Sequence, residues 1–376
     1  MTQSGFVFSE KPIRIDSGEG PYLYDESTEY LDFGASYAVT PTGHCHPDVV
    51  AATQHQLEQL MYVQASYPVD IRDDLYNTLA ASAPGDIENV WLCNSGTEAN
   101  EAAIKFARSA TGRSKIIATT QGFHGRTLGS LAATWKQAYK EPFEPLAGGF
   151  EFVNYGDVDE LEAAVDDNTA AVLLEPIQGE GGINPAPSGY LQAVREQTKD
   201  HGAAMILDEI QTGLGRTGSM WAAENHNIVP DILTTAKGLA SGLPVGATFC
   251  RDWIAADAGD HGSTFSGGPV ICAAAKETLD VIERENLAEH AGEMGTYLID
   301  ALESAIGDDV RDIRGQGLMI GIEVKRGANR MLPTLALDHG ILALPAGRTV
   351  LRLLPPLIIE REHADQVVDA LEEVVG

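Results

Sequence analysis

The feature that most constrains the fold is a repeated alternation of short apolar runs with helix-like stretches between about residues 46 and 285. Stretches such as TEANEAAIKFARSAT and SGYLQAVREQTKDHG separate the runs. This alternation is typical of an α/β fold with a mostly parallel sheet flanked by helices. Ligands of such sheets lie beyond the carboxyl ends of the strands, so the residues after each run are candidates for a site. Six runs predict buried strands: NVWLC (89–93), KIIATT (115–120), AAVLLEP (170–176), AAMILDE (203–209), DILTTA (231–236) and GATFC (246–250).

Two further regions flank this alternating part. From about residue 286, ENLAEHAGEMGTYLIDALESAI and REHADQVVDALEEVVG each place apolar residues on one helix face, and GLMIGIEV and TVLRLLPPLII predict strands. Residues 286–376 are therefore predicted to form a smaller α+β C-terminal domain, and residues 46–285 the large domain. The segment GPYLYDESTEYLDFG indicates small sheet elements in an N-terminal arm of residues 1–45.

The charge balance excludes one class of partner. Acidic residues outnumber basic residues 55 to 25, and the formal net charge is −30. Such a surface disfavours sequence-independent binding to nucleic acid. Because the acids are spread along the whole chain, the composition favours a halophilic source, where high salt screens like charges. No run approaches the length of a membrane span, and the N-terminus lacks the pattern of a signal peptide, so we expect a soluble cytoplasmic protein.

Cysteine and histidine content points away from disulfides and metal. The four cysteines contain no CxxC pair, which suits a reducing compartment. The segment GHCHP (43–47) holds three possible ligands, but they are adjacent and no second cluster completes a tetrahedral site. A turn before the helix PDVVAATQHQLEQL is the better interpretation, and we predict no metal site.

The segment NSGTEANEAAIKFAR directly follows the strand VWLC. Ser95 and Glu98 fit a capping box, which would begin a helix at Ser95. The amides of Gly96 and Thr97 would then be free at the positive end of that helix and could hold a phosphate. An ordinary capped helix that binds nothing is the alternative.

Two other strand ends and one turn carry polar groups. Asp208 ends AAMILDE, and its carboxylate could pair with a protonated ring nitrogen or serve in a structural ion pair. LEPIQGEGG supplies Glu175 and Glu180 at a second strand end. In GFHGRT, Phe123 could stack on a planar ligand and Arg126 could bind a carboxylate, the alternative being a surface turn.

Lys237 stands in TTAKGLASGLP, between a predicted strand and a glycine-rich turn. Together with a phosphate cradle, a strand-end carboxylate and an aromatic plate, an amine there completes what is needed to hold pyridoxal phosphate as a Schiff base. The lysine would form the imine, and the carboxylate would keep the pyridine nitrogen protonated. These parts do not by themselves select the reaction.

Seven long motifs occur in order along the chain: SGTEANEAAIKFAR, GFHGRT, LEPIQGEGG, LDEIQTGLGRTG, TTAKGLASGLPVGA, GSTFSGGP and RLLPPLII. Through essentially its whole length the chain resembles the class III pyridoxal-phosphate aminotransferases of fold type I. Within that class it is most similar to the acetylornithine and ornithine subgroup. WKQAYKEPFEPL (135–146) resembles archaeal and thermophile members that act on intermediates attached to a LysW-type amino-group carrier protein. Tyr37 resembles the tyrosine of that group and of ornithine aminotransferases, where many acetylornithine enzymes have an aliphatic residue.

The resemblance implies a role for each motif residue. Lys237 would bond to the cofactor and shuttle a proton, while Asp208 would bind the pyridine nitrogen. Thr264 and Ser263 would reach the phosphate in the partner subunit of a homodimer with shared active sites. Arg126, with Tyr37, would bind a substrate carboxylate. The remaining cofactor contacts would be Ser95, Gly96 and Thr97 at the phosphate, Gln211 at the phenolic oxygen, and Ile210 and Phe123 on the two ring faces.

One pocket must then accept both glutamate and a substrate with a terminal amine. In the family, an arginine binds the glutamate α-carboxylate and a glutamate covers that arginine when the other substrate is present. The matching residues are Arg352 and Glu180. Because a buried unpaired arginine is costly, a movable partner is expected, although a fixed structural ion pair is the alternative.

The predicted function is a reversible aminotransferase. Glutamate would leave as 2-oxoglutarate, and the amino group would pass to the ω-semialdehyde of an α-N-blocked glutamate or aminoadipate. The block is acetyl or a carrier protein, and the pathway that of arginine, lysine or both. The alternatives are another ω-aminotransferase, for ornithine or 4-aminobutyrate, and a non-catalytic relative. A Rossmann dehydrogenase is disfavoured because no GxGxxG follows an early strand.

Overall fold

The computed structural model describes residue 11, residues 13–325 and residues 327–375. The first ten residues, on which the expectation of no signal peptide depends, lie outside these ranges. So do Pro12, Arg326 and the final glycine of the predicted small domain. Across the ranges described, no helix combines the length and apolar composition that crossing a bilayer requires.

The strands, in chain order, are β1 (Ser17–Glu19), β2 (Tyr22–Tyr24), β3 (Glu29–Asp32), β4 (Asn89–Cys93), β5 (Lys115–Thr119), β6 (Phe150–Val153), β7 (Thr169–Leu174), β8 (Ile177–Gln178), β9 (Asn184–Pro185), β10 (Ala204–Asp208), β11 (Ile232–Thr235), β12 (Gly246–Cys250), β13 (Val310–Gln316), β14 (Met319–Val324), β15 (Ile341–Leu342), β16 (Leu344–Ala346) and β17 (Val350–Leu353).

The helical segments are α1 (Ala35–Ala38), α2 (Pro47–Gln59), α3 (Asp70–Ser82), α4 (Gly96–Thr111), α5 (Leu128–Ala133), α6 (Gln137–Lys140), α7 (Val158–Ala164), α8 (Tyr190–Asp200), α9 (Ala222–Asn225), α10 (Asp252–Ala255), α11 (Pro269–Arg284), α12 (Leu287–Ile306), α13 (Leu332–Asp338) and α14 (Arg361–Val375). Three short 3-10 helices cover Glu141–Phe143, Lys237–Ala240 and Ala328–Arg330.

A seven-stranded sheet in the order β4-β12-β11-β10-β7-β5-β6 forms the centre of the molecule. Its strands are parallel except β12, which runs antiparallel to both of its neighbours. All six predicted strands lie in this sheet, so the predicted α/β fold with a mostly parallel sheet is confirmed. The edge strand β6 was not predicted, because FEFV is short, follows two glycines and has only Val153 fully buried.

A smaller antiparallel sheet, β13-β14-β17-β16, forms near the C-terminus. Helix α12 buries Leu287, Ala291, Met294, Leu298 and Leu302, the stripe that the spacing predicts. The predicted strand TVLRLLPPLII is shorter than expected, since β17 ends before two prolines that cannot donate to a ladder. A further sheet, β1-β2-β3-β15, joins the N-terminal hairpin to a strand from the C-terminal part of the chain.

The segment α1 is a left-handed helical turn. Its four residues have φ between 40° and 70°, and none is glycine. Each L-residue in this conformation costs about 1–2 kcal/mol. The buried Asp32 holds the turn, since its Oδ1 accepts from the amides of Gly34 and Ala35, both at 2.9 Å. His44 Nε2 lies 2.9 Å from Asp32 Oδ2, so GHCHP braces this turn.

Candidate active site

A cavity of about 440 Å³ opens at the carboxyl ends of the parallel strands. Its position agrees with the rule for ligand sites in such sheets. Four predicted site residues, namely Tyr37, Arg352, Ser263 and Thr264, do not line it. The cavity brings together the other ten: Ser95, Gly96, Thr97, Phe123, Arg126, Glu180, Asp208, Ile210, Gln211 and Lys237.

The N-terminus of α4 forms one end of the cavity. Ser95 is its N-cap, and Ser95 Oγ accepts from the Glu98 amide at 3.3 Å. The other half of the predicted capping box is wrong, because the Glu98 carboxylate accepts from the amide and side chain of Asn94, both at 2.8 Å. The first-turn amides of a helix have no intrahelical partner, and those of Gly96 and Thr97 face the cavity end. This geometry suits a phosphate.

Gly96 also serves a packing role that the sequence did not reveal. A Cβ placed there would come within 2.7 Å of Ile210 Cδ1. Only glycine therefore lets Ile210 lie across the start of α4. Phe123, the other predicted ring contact, is half-buried and donates its amide to Glu175 Oε1 at 3.0 Å.

Asp208 is held in a buried polar network. Its Oδ2 accepts from Asn100 Nδ2 at 2.7 Å and lies 2.8 Å from His124 Nδ1, while Oδ1 accepts from the Ile210 amide at 3.1 Å. Thr234 donates to Asn100 Oδ1 at 2.8 Å, and so orients that amide. The carboxylate is thus fixed in place at the end of β10 by polar neighbours.

Lys237 follows β11, the strand next to β10, and Asp208 is in register with Thr234 across the two strands. Lys237 has φ of 31°, an unusual value for a residue with a side chain. Burial lowers the pKa of the Lys237 amine below its ordinary value. Glu180, Asp208 and Glu175 oppose that shift, whereas Arg352 adds to it. An amine in this environment is suited to nucleophilic chemistry.

Glu175 joins two parts of the cavity wall. Its Oε2 accepts from the Gly179 amide at 3.0 Å, one residue before Glu180, and its Oε1 holds Phe123. Burial raises the pKa of the Glu175 carboxyl to about 7; the Asp208 charge adds to that rise, and His124 opposes it. Glu175 thereby fixes the loop from which Glu180 projects.

The groups around the cavity fit pyridoxal phosphate. Gln211 Nε2 is buried without a hydrogen-bond partner among the described residues, as expected of a donor reserved for a ligand oxygen. Asp208 would hold the ring nitrogen, Lys237 the aldehyde carbon and the α4 N-terminus the phosphate. Ile210 and Phe123 supply apolar walls for a planar ring.

Arg352 lies fully buried beside the cavity, and Glu180 lines the wall in front of it. Glu180 Oε1 is 2.6 Å from Arg352 Nη1, and the Glu180 side chain is 34% exposed. Arg352 also donates to Gln211 Oε1 and to the Pro345 carbonyl, both at 3.3 Å. Its Nε has no partner within the described part of the chain. The arginine is therefore anchored on several sides, whereas the glutamate side chain is partly exposed.

Tyr37 and Arg126 lie at the rim. The Tyr37 side chain is exposed, and its ring centroid is 5.2 Å from the Arg352 guanidinium carbon. The left-handed turn thus brings Tyr37 to Arg352. Arg126 lies instead against aromatic rings, 3.5 Å from the Tyr139 centroid and 5.4 Å from that of Phe123. The predicted pairing of Tyr37 with Arg126 is not tested by these contacts.

Ser263 and Thr264 lie outside the Lys237 cavity and line a second cavity with Tyr62 and Gln64. The Tyr62 hydroxyl donates to the Thr264 carbonyl. Ser263 Oγ accepts from Asn94 Nδ2 at 2.9 Å, and Asn94 lines the first cavity. Within this single chain, neither residue lines the cavity at the N-terminus of α4.

The residues described hold no cluster of three or more potential metal ligands. His44 pairs with Asp32, and His46 Nε2 lies 3.6 Å from Glu285 Oε1. Cys45 between them is exposed.

Sequence reasoning assigned no role to Asn100, His124 or Tyr139. Asn100 and His124 hold Asp208, and Tyr139 lies against Arg126. Glu175 was named only as a strand-end carboxylate, and the structure shows that it holds Phe123 and the loop of Glu180. A signal existed for Asn100, because it occurs four residues after Gly96 and so lies on the same face of α4. The contacts of the others join segments distant in sequence, which no local pattern reports.

The chain matches known proteins along nearly its whole length. A family model described as Aminotransferase class-III covers residues 8–375. The chain is 43% identical over 375 residues to the LysW-aminoadipate semialdehyde transaminase of Deinococcus radiodurans, spanning 98% of this chain and 87% of that protein. It is 43% identical over 369 residues to the acetylornithine aminotransferase of Methanosarcina mazei, spanning 98% and 93%.

Solved structures give the same picture of the fold. An ornithine aminotransferase from Toxoplasma gondii, whose structure reveals partial occupancy of PLP at its active site, superposes with a TM-score of 0.94. The two sequences are 34% identical, and the match covers 99% of this chain and 92% of that one.

Proposed function

This chain belongs to the class-III aminotransferases, with pyridoxal phosphate as cofactor, and we propose that its second substrate is an α-N-blocked ω-semialdehyde. Glutamate donates the amino group and leaves as 2-oxoglutarate. The acceptor is the semialdehyde of a glutamate or aminoadipate whose α-nitrogen carries a LysW-type carrier protein or an acetyl group. The reaction belongs to arginine or lysine biosynthesis, or to both.

The observation that carries this proposal is the arrangement of two arginines about the cavity. Arg352 is covered by Glu180, whereas Arg126 at the rim has no carboxylate partner among the described residues. Glutamate has two carboxylates and needs both cations. A substrate with an uncharged ω-end needs Arg126 alone. Glu180 then stays in place and compensates the positive charge of the buried Arg352. The names of the relatives supply the class of blocked substrate.

When bound, pyridoxal phosphate withdraws the electron pair that remains on the substrate carbon after its proton leaves. Lys237 Nζ would be the base that accepts this proton, and the same amine would return it once the electron pair has moved. Burial lowers the pKa of the Lys237 amine, which favours the neutral form that accepts a proton. Asp208 would accept a hydrogen bond from the ring nitrogen and so favour its protonated form, and Asn100 and His124 hold the carboxylate in place for that role.

We further propose that two copies assemble so that Ser263 and Thr264 of each reach the phosphate end of the other's cavity. Supporting this, both residues line a surface cavity next to Asn94, beside the start of α4. The acidic composition supports a halophilic source, and a cytoplasmic location is proposed with the biosynthetic role. The division at residues 45 and 285 into arm, large domain and small domain is likewise a proposal.

Free ornithine is the second candidate substrate. The contact between the Tyr37 ring and Arg352, together with the ornithine aminotransferase fold likeness, favours it. A half-reaction panel separates the two candidates, with cofactor absorbance as the signal. Its members are N-acetylornithine, carrier-linked ornithine and lysine, free ornithine and 4-aminobutyrate. We expect kcat/KM for a blocked substrate to exceed that for free ornithine by at least about tenfold, the scale of one lost specific contact. Faster turnover of free ornithine would overturn the assignment.

A further inference from the structure

The segment WKQAYKEPFEPL lies at the rim of the cavity, where two cations lie against the ring of its one tyrosine. The Arg126 guanidinium carbon is 3.5 Å from the Tyr139 ring centroid, and the Phe123 ring stands edge-on to the Tyr139 ring at 6.4 Å between centroids. Lys136 Nζ is 4.6 Å from the same centroid and 3.4 Å from the Tyr139 hydroxyl oxygen. Because both cations lie against one ring, they are at most about 8 Å apart.

Neither cation has an acidic partner among the described residues. Ion pairs elsewhere involve Arg14, Lys115, Arg195, Arg251, Lys276, Arg284, Arg311, Arg314 and Arg352. Arg126 and Lys136 are not among them, in a chain that carries 55 acids against 25 bases. Other cations in the described part of the chain also lack an acidic partner, but these two share one ring, and Arg126 lines the cavity, so together they can meet anions at its rim.

A single substrate carboxylate accounts for only one of these cations. Stacking on Tyr139 leaves the edge N–H groups of Arg126 free to bind a carboxylate in two-pronged fashion. Lys136 adds a point charge on the outward side, since its side chain is exposed and does not line the cavity. A second negative group of the substrate, placed farther from Lys237 than the first carboxylate, would contact Lys136.

We propose that Tyr139 is the positioning residue for Arg126 and that Lys136 forms a second anion subsite. The ligand class is an α-N-blocked substrate whose blocking acyl group carries its own carboxylate. This inference rests on the proposed function and narrows its substrate. The carboxylate could belong to a small acyl group or to the terminal residue of a peptide or carrier.

The test compares three blocked ornithines in the holoenzyme: N-acetyl, N-succinyl, and the neutral amide of N-succinyl. The wild type should have a higher kcat/KM for N-succinylornithine than for its neutral amide, which has the same shape. Lys136→Gln should lower the succinyl-to-amide ratio of kcat/KM by about three- to fivefold, the effect of one exposed ion pair. Raising the salt concentration should shrink the wild-type ratio. The exposed Lys199 on α8 provides a control, and Lys199→Gln should leave the ratio unchanged.

A ratio unaffected by Lys136→Gln would overturn the subsite while leaving the proposed function intact. Inactivity of all three blocked substrates beside active free ornithine would instead overturn the proposed function. A further substrate distinguishes a small acyl group from a peptide or carrier as the source of the carboxylate. In it, the α-nitrogen of ornithine is acylated by the γ-carboxyl of a peptide's terminal glutamate. If its preference over succinyl also depends on Lys136, the carboxylate is that of a peptide or carrier.

Tyr139 is tested by a pair of variants. Tyr139→Leu removes the ring and should raise KM for every substrate that uses Arg126 by about tenfold, with kcat changed much less. Tyr139→Phe keeps the ring and should restore KM. A general folding defect would lower kcat and the cofactor content in both variants, and that result would contradict a positioning role.

Discussion

Glu180 Oε1 contacts Arg352 Nη1 at 2.6 Å, and this ion pair forms part of the wall between the cavity and the buried guanidinium. A glutamate α-carboxylate can bind Arg352 only if Glu180 moves away. The Glu180 side chain is partly exposed and Arg352 is held by Gln211 and Pro345, so motion of the glutamate is the less costly one.

Glu180→Ala should therefore favour glutamate. We expect the glutamate half-reaction to gain about three- to tenfold in kcat/KM, because no ion pair has to break. The half-reaction of the ω-amine should lose at least as much, since Arg352 is then buried without a partner. Stopped-flow absorbance of the cofactor measures both. Unchanged rates in the two half-reactions would mean that the ion pair is structural.

Lys237→Ala should abolish turnover. We propose that this amine bonds to the cofactor and carries the proton, so we expect a loss of at least about 10³-fold in kcat. The visible absorption of the bound cofactor should disappear with it. Lys199→Ala, at an exposed position on α8, is the matched control and should retain both.

Asp208→Asn should show what the negative charge contributes, because asparagine has nearly the same shape as aspartate. The variant keeps a polar side chain beside Asn100 and His124 but removes the carboxylate that we propose would face the ring nitrogen. We expect kcat to fall on the order of 10²–10³-fold. A cofactor analogue methylated on the ring nitrogen carries its positive charge permanently and should restore part of the rate. Failure of the analogue to help this variant more than the wild type would contradict the role of Asp208.

Ser36→Gly should stabilise the protein. Ser36 is exposed with φ of 50°, and glycine relieves about 1–2 kcal/mol of strain while adding about 0.5–1 kcal/mol of unfolded-state entropy. The net gain should be about 0.5–1 kcal/mol in the free energy of unfolding, measured in urea. Ser188→Gly is the control, because Ser188 is exposed outside the left-handed region and should lose stability.

Glu209 should contribute a pH-dependent term to stability. It is fully buried, and it accepts from the amides of Ala222 and Ala223 and from the Thr212 hydroxyl. Burial raises the pKa of the Glu209 carboxyl from 4.5 to about 7. Between these pH values the unfolded chain releases the proton and the folded protein retains it. Stability from this group is therefore greatest below pH 4.5 and falls as pH rises to 7, by at most about 3 kcal/mol.

Glu209→Gln cannot ionise and lacks this term. The difference in free energy of unfolding between wild type and variant should thus decline as pH rises through that window. Urea unfolding of the holoenzyme at several pH values measures it, with Glu196→Gln on the surface of α8 as reference. A difference that is flat with pH would show that the carboxyl is already ionised when the protein is folded.

Much of the chemistry was predictable from local patterns, because it depends on strand ends. Asp208, Gln211 and Lys237 follow β10 and β11, whose apolar runs are plain in the sequence, and all three line the cavity. The positive end of α4 follows in the same way from Ser95. The assignments of individual contacts to the cofactor and substrate stay predictions.

The parts that escaped prediction depend on contacts between distant segments. The turn at α1 has no glycine, so nothing local marks its left-handed backbone, which Asp32 and His44 hold in place. The Glu98 carboxylate accepts from the amide of Asn94 rather than from that of Ser95, a choice between neighbours that a motif cannot resolve. Tyr139 meets Arg126 only because α6 folds back over the loop after β5.

The backbone ladder between β10 and β11 fixes Asp208 against the strand that leads to Lys237. Asp208 and Lys237 thus belong to the central sheet and the turn after it, whereas Tyr37, Arg126, Lys136 and Glu180 lie on the periphery of the cavity. Substitutions at the rim can therefore change which amine is the substrate while the reaction itself is conserved. Paralogues with new substrates should differ at these outer positions long before they differ at the two strand ends.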